Sequence, residues 1–288
     1  MKPDAFTSVG LDAPINMLAT PIFAMDRFGT PSLSGSAFVL APGLAITARH
    51  VLEHFIGELC PTRENPAQGP LEVDIFGTLL QPDGVHLGVK VMEYRSCTDA
   101  DVCLLLLGGP PELHARIRWA KPTISFSPPK VDDRITAYGF PRTQMKDVSV
   151  ADKKLSATLK ISPSFGQGRV VTVHAMKRDS AMLPFPCFQI DAPVDGGMSG
   201  GPSIHQATGS ICGAISSSLD CAADSDEFVS YGSSLWPLLG LEVDLLLADG
   251  PYRGTIHDLC RRGVVTSNDW SHFSVSRLGD RFRVELVR

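Results

Sequence analysis

The stretch Gly197-Met198-Ser199-Gly200-Gly201-Pro202 places one serine in a run of glycines closed by a proline. Glycines on both sides allow backbone conformations with positive φ and close approach of a neighbouring chain. A serine held there can present its hydroxyl beside free backbone N–H groups, the arrangement that a nucleophile and an oxyanion site need. Such a hydroxyl also needs a base. His50 follows two strand-like apolar runs, Ala37-Phe38-Val39-Leu40 and Leu44-Ala45-Ile46-Thr47-Ala48. Asp101 opens a third, Val102-Cys103-Leu104-Leu105-Leu106. The chain therefore carries a base, an acid and a hydroxyl in the order His, Asp, Ser. Singly, each has an ordinary alternative: a packed histidine, a solvated aspartate, a turn serine. Asp99 competes with Asp101, because a two-residue period puts both on one strand face. Asp101 is preferred because the apolar run begins immediately after it, and Asp99 reads as an exposed strand start.

The elements that must position these groups are short strands. The 22 prolines and 26 glycines suit many strands joined by tight turns. Residues 1–14 read as a tail and Ile15-Asn16-Met17-Leu18-Ala19 as the first strand. Turns follow at Asp26-Arg27-Phe28-Gly29-Thr30-Pro31 and Ala41-Pro42-Gly43, then a one-turn helix after His50 and a proline-bearing loop over residues 57–70. Further strands are expected near 71–79 and 85–94. The proline-rich segment 121–130 reads as a linker. A second set of strands follows over 134–140, 156–161, 168–174, 187–191, 203–205 and 210–217. This pattern indicates an all-β sandwich or barrel. Beyond residue 240 it changes: a helix capped by Thr255 is expected over 255–262, then a hairpin of 273–277 with 281–286 around Leu278-Gly279-Asp280.

Thr47-Ala48-Arg49-His50-Val51, Asp101-Val102-Cys103-Leu104-Leu105 and the Gly-Met-Ser-Gly-Gly-Pro stretch resemble the three signature blocks of trypsin-like serine peptidases. The resemblance is closest to the bacterial branch that includes the HtrA-type proteases. Gln189-Ile190-Asp191-Ala192 and Gly209-Ser210-Ile211-Cys212-Gly213-Ala214 also fit that branch, so the likeness covers roughly residues 15 to 240. It implies an all-β fold of two six-stranded antiparallel β-barrels, here 15–120 and 121–240, with the site between them. Residues 241–288 would be a small α+β appendage packed on the barrels, too short for the PDZ domain that HtrA-type proteases carry. The implied activity is that of a serine endopeptidase. Ser199 would be the nucleophile, His50 the base and Asp101 the residue that orients it. The N–H groups of Gly197 and Ser199 would bind the oxyanion. Substrate would pair with the strand Ser216-Ser217-Ser218, and Ser216 would also support Asp101. Pro193, six before the serine, carries no charge to select Lys or Arg, so a small or apolar side chain is expected there; Asp195 reads as a turn stabiliser. Met198 stands where zymogen-activated members have an aspartate, so that activation switch is not expected. Arg49, where alanine is usual, puts the packing beside the base in question.

Three other readings start from the same residues. His50-Val51-Leu52-Glu53-His54 matches a His-x-x-Glu-His zinc pattern, which would make a zinc-dependent peptidase but leaves the Ser199 stretch unexplained. Gly197-Met198-Ser199-Gly200-Gly201 matches the nucleophile elbow of α/β-hydrolases, but the alternating helices of that fold are missing. A catalytically idle barrel pair could bind peptides by strand addition. No metal and no cofactor are expected. The net charge of −5 gives no general attraction to nucleic acid, and no run reaches the ~20 apolar residues of a membrane span. The N-terminus lacks the pattern of a signal peptide. Seven cysteines without a Cys-x-x-Cys pair read as buried thiols in a reducing, cytoplasmic setting. The expected partner is a protein or peptide substrate. Residues 251–288 hold seven arginines and four acids, 7 − 4 = +3, so a regulatory protein could dock on that appendage.

Overall fold

The computed structural model describes residues 6–25, 31–59, 68–151, 154–219, 227–247, 250–279 and 281–287. Most of the expected turn at 26–31, much of the 57–70 loop and part of the turn at 278–280 lie outside them, as do Cys60 and Cys221. In chain order the elements are β1 (Thr7–Ser8), β2 (Ala19–Met25), β3 (Pro31–Ala41), β4 (Leu44–Thr47), α1 (Arg49–Leu59), β5 (Gln68–Leu80), β6 (His86–Ser96), β7 (Cys103–Gly108), α2 (Pro111–Arg116), β8 (Arg134–Gly139), β9 (Gln144–Ala151), β10 (Lys154–Lys160), β11 (Ser164–His174), β12 (Cys187–Ile190), β13 (Pro202–His205), β14 (Ile211–Leu219), β15 (Val229–Ser234), β16 (Glu242–Leu247), β17 (Gly250–Thr255), α3 (Ile256–Arg261), β18 (Phe273–Leu278) and β19 (Arg281–Leu286). The first barrel closes in the order β2-β3-β4-β7-β6-β5. In the second, β8-β13-β14-β15-β12-β11 closes through the pairing of β11 with β8. Every one of these pairings is antiparallel, so the fold is the expected pair of six-stranded antiparallel barrels.

The unbroken apolar runs of β3, β4 and β7 have a direct physical cause. Successive side chains of a strand point to opposite faces, and here both faces are buried. Ala37, Val39, Ala45 and Leu105 fill the first barrel with Ile75, Val89 and Val91. Their neighbours Phe38, Leu40, Leu44, Ile46 and Leu104 point outward into a core shared with Tyr138, Phe140 and Ala214 of the second barrel. Each large apolar side chain buried in this way contributes about 1.5–3 kcal/mol. The barrels are thus joined along β4, which ends just before His50, and β7, which starts just after Asp101.

Several expectations change. Residues 6–14 are not a loose tail: β1 pairs with Phe165 and Ser164 of β11, and the Asn16 amide donates to the carbonyls of Gly10 and Leu11. Residues Pro14–Met17 form a 3-10 turn with proline in its first turn, and the first barrel strand starts only at Ala19; fixed φ and the missing N–H favour proline there. The helix after His50 runs three turns, not one. A hairpin of β9 with β10, and another of β16 with β17, form outside both barrels. The segment 121–130 is packed rather than slack. Ile124 is fully buried and bridges Ile211 and Ser267, and Asp269 accepts from Ser125 Oγ and from the N–H groups of Phe126 and Ser127 at 2.8–3.0 Å. That carboxylate ties the segment to the appendage.

The appendage itself follows the local signals. Thr255 caps α3 through a reciprocal capping box with Asp258, and Leu259, Ile256 and Phe273 enter the shared core. Of the three leucines of β16, Leu245 and Leu247 are partly buried against the shared core, whereas Leu246 is 84% exposed, because it points to the outer face of a two-stranded hairpin. Ion pairs balance Arg253, Arg261 and Arg283 locally.

Candidate active site

The serine turn is built by close approach of the two barrels. Gly197 and Gly200 have φ of +88° and +82°, a region open chiefly to glycine. A Cβ at Gly200 would lie 2.2 Å from Thr47 Oγ1 and 2.3 Å from the Ser36 carbonyl, so only glycine lets β3 and β4 come this near. Ser36 makes the junction: its N–H donates to the Ser199 carbonyl at 2.8 Å and its hydroxyl to the Gly197 carbonyl at 2.7 Å, while the Phe140 N–H donates to that hydroxyl. From the second barrel, Gly200 N–H donates to the Ile215 carbonyl and Ile215 N–H to the Gly201 carbonyl. Met198 is fully buried among the apolar side chains of that barrel. Among the described residues, the N–H groups of Gly197 and Ser199 donate to no protein acceptor.

His50 stands on the first turn of α1, which Val51 and Leu52 anchor in the first barrel. Asp101, 4% exposed, lies on the turn before β7. Its Oδ1 accepts the His50 N–H at 3.0 Å, and its Oδ2 meets His50 Nδ1 at 2.8 Å and accepts the Ser216 hydroxyl at 2.6 Å. Asp99 is exposed. Arg49 is part of the same device: its guanidinium reaches the carbonyls of Cys97 and Thr98 at 3.5 and 3.3 Å and pairs with Glu53 at 3.3 Å. It thereby ties the helix that carries His50 to the turn that carries Asp101. Ser199 Oγ faces this network from the other barrel and donates to the Ser216 carbonyl at 3.4 Å.

A family model for the trypsin-like peptidase domain matches residues 35–213, a span that contains His50, Asp101 and Ser199. The chain belongs to the trypsin-like peptidase family. It is a serine endopeptidase. Comparison with curated proteins found no match. Solved structures similar to it include Deg5 (17% identity over 76% of this chain and 85% of the other, TM-score 0.47). Others are the active form of the Rv3671c protease from M. tuberculosis (17%, 78% of each chain, 0.45) and the MamO protease domain from Magnetospirillum magneticum (13%, 76% and 92%, 0.44).

In this peptidase, burial alone would lower the His50 pKa. The hydrogen bond and charge of Asp101, with a smaller effect of Glu53, outweigh it and hold the imidazole above its ordinary 6.5. Burial would raise Asp101, but the His50 ring, the Ser216 hydroxyl and the His50 N–H hold the carboxyl below its usual 3.8. The pair therefore favours an imidazolium beside an ionised carboxylate. Beside His50 opens a cleft of about 310 Å³ bordered by Ser216, Ser217 and Ser218. Here β14 pairs with β15 on one side but with β13 only as far as Ala214, leaving the other edge toward the cleft. Pro193 is buried against Gly166 of β11. The zinc pattern is divided by its partners: Asp101 takes His50 Nδ1 and Arg49 takes Glu53, and among the described residues no three His, Cys, Asp or Glu side chains converge. Ser36 went unread in the sequence, although three small residues, Gly35-Ser36-Ala37, before an apolar run mark a place where chains meet closely. The loop 178–185 along the cleft carried no sequence signal.

Proposed function

We propose that the peptidase cleaves peptide bonds through an acyl-enzyme on Ser199. Ser199 Oγ attacks the substrate carbonyl carbon while His50 Nε2 takes its proton. The oxyanion is received by the N–H groups of Gly197 and Ser199, each worth about 3–4 kcal/mol to the transition state. His50 then gives the proton to the leaving amine as the C–N bond breaks. Water, deprotonated by His50, attacks the ester, and the proton returns to Ser199 as the acid product departs. Asp101 holds the Nδ1–H tautomer and stabilises the imidazolium. The observation that carries this reading is the buried Asp101 carboxylate bonded at once to His50 Nδ1, His50 N–H and Ser216, with Ser199 on the facing turn. Substrate would add as a strand to the open edge at residues 216–218; Pro193, buried against Gly166 and not lining the cleft, gives no support to the expected side-chain preference. Among the described residues, five buried, unpaired cysteines, with thiols pushed up to about 11–12 by burial, support a reducing compartment, the cytoplasm, which cell fractionation would test. The mechanism is tested by fluorophosphonate labelling. Wild type should label at Ser199, and Ser199→Ala should lose both label and peptide turnover while keeping its melting temperature. A labelled residue other than Ser199, or turnover in Ser199→Ala, would overturn it.

A further inference from the structure

Two guanidinium groups border the cleft beside His50, and they differ in what they hold. Arg49 is engaged by two carbonyls and Glu53. Arg178 makes no hydrogen bond from its guanidinium to any described residue. Its cation lies 4.9 Å above the Tyr231 ring, and its Nε is 3.7 Å from Asp179 Oδ2. Neither contact fills the terminal N–H groups.

The mounting is rigid. Asp179 Oδ1 accepts the N–H groups of Ala181, Met182 and Leu183, and the N–H groups of Arg178 and Asp179 both donate to the Leu183 carbonyl. Tyr231 lies in a buried cluster with Leu183, Phe185 and Cys187. Lys177 donates to Ser180 and so stays on the loop. A guanidinium on an aromatic platform, on a side chain 31% exposed and with its planar fork unfilled, is prepared for a carboxylate. Asp179 offsets much of the net charge, so the selection comes from directional hydrogen bonds more than from field strength. The cleft is also lined by His50, by Asp101, whose carboxylate is taken up by His50 and Ser216, and by Ser216–Ser218; its apolar lining, Met182, Leu183, Phe185 and Leu219, suits the methylene stem of a side chain that ends in that carboxylate.

We infer that this cleft takes a Glu or Asp side chain of the peptide substrate, its carboxylate held by the open N–H groups of Arg178. The inference rests on the proposed strand addition at residues 216–218. Side chains of an added strand alternate in direction, so one substrate position faces the cleft.

The test uses pools of acetylated, amidated, internally quenched octapeptides with Glu, Gln or Lys fixed in turn at each position. Wild type should cleave the Glu pool about five- to tenfold faster than the Gln pool at one position. Arg178→Gln should erase that ratio, Arg178→Lys should keep part of it, and Arg178→Glu should turn it toward Lys. The readout is a ratio, which a general loss of folding or catalysis does not move. Equal cleavage of Glu and Gln pools at every position, or a ratio that survives Arg178→Gln, would overturn the inference. So would a preference found only when the peptides carry a free C-terminal carboxylate, since that assigns the anion to the chain end. Fluorescence anisotropy of the same Glu and Gln pools on Ser199→Ala reads the preference without turnover. A failure of the acyl-enzyme mechanism would instead show as missing label at Ser199 with the binding ratio intact.

Discussion

Asp101 and Asp269 face similar physics in two regions of the molecule. Each carboxyl is held below its usual 3.8 against the opposing effect of burial, by several hydrogen bonds from segments remote in sequence. Asp101 lies between the barrels, and Asp269 joins the interbarrel segment to the appendage. Their partners differ. Asp269 accepts from Ser125, Ser267 and the N–H groups of Phe126 and Ser127, none of which exchanges a proton near neutral pH. Asp101 accepts from an imidazole whose ring is 45% exposed toward the cleft. A depressed carboxylate pKa thus marks convergence of donors, and it becomes chemistry only where one donor can titrate and meet substrate. The first arrangement fixes a loop; the second fixes the imidazole that the proposed mechanism uses as its base.

Exchanging each carboxylate for its amide breaks this comparison most directly. Asp101→Asn should lower kcat by about 10⁴-fold, because the amide favours the wrong imidazole tautomer, and should leave circular dichroism unchanged. A loss under tenfold would mean that His50 is oriented by something else. Asp269→Asn should do the reverse, lowering stability by about 2 kcal/mol through weakened and mismatched hydrogen bonds while kcat/KM of the folded protein stays as in wild type. Denaturant melts and active-site titration separate the two effects. The sign with pH also follows: a depressed folded pKa means that the Asp269 contribution is fully present above 3.8 and lost as pH falls through the folded value. Acid unfolding of Asp269→Asn should therefore be shallower than that of wild type.

Smaller changes sharpen the contrast at the catalytic end. Ser216→Ala removes one donor from Asp101 and should cost about fivefold in kcat/KM; no change would place the Ser216 contact outside the mechanism. The last expectation concerns the free enzyme's pH profile. His50 acts as a base only when neutral, and its pKa is raised, so kcat/KM should climb with pH through a midpoint above 6.5. A midpoint below 6.5 would mean that burial outweighs Asp101.

Much of the site was legible because its residues sit in local contexts with narrow physical use. A serine between glycines with a following proline, and a histidine and an aspartate each at the end of a strand-like run, can be read without knowing what they touch. Most strands of both barrels could be placed for the same reason, though not β2 or β15, and the strand expected at 156–161 lies in the β9–β10 hairpin instead; α3 could also be placed, since its Thr255–Asp258 capping box is complete within four residues. The first strand failed because Pro14 and a run of apolar residues also suit a 3-10 turn, and the β16–β17 hairpin failed because three consecutive leucines hide a two-residue period. The segment 121–130 does lie between the barrels, but its packing was not legible, because prolines signal irregular backbone and not whether it is buried.

The sequence by itself determined the candidate groups, their order along the chain and the strand-rich fold, since hydroxyl, imidazole, carboxylate and backbone freedom are properties of single residues and short runs. The tertiary structure alone decided the rest. It chose Asp101 over Asp99 by burying one and exposing the other, made Ser36 the junction of the barrels, turned Arg49 into a tether and left Arg178 open on Tyr231. Each of these depends on residues far apart in sequence, such as Ser36 and Gly197 or Arg178 and Tyr231. Hydrogen bonding and burial act through distance in space, which folding sets and which local pattern does not encode.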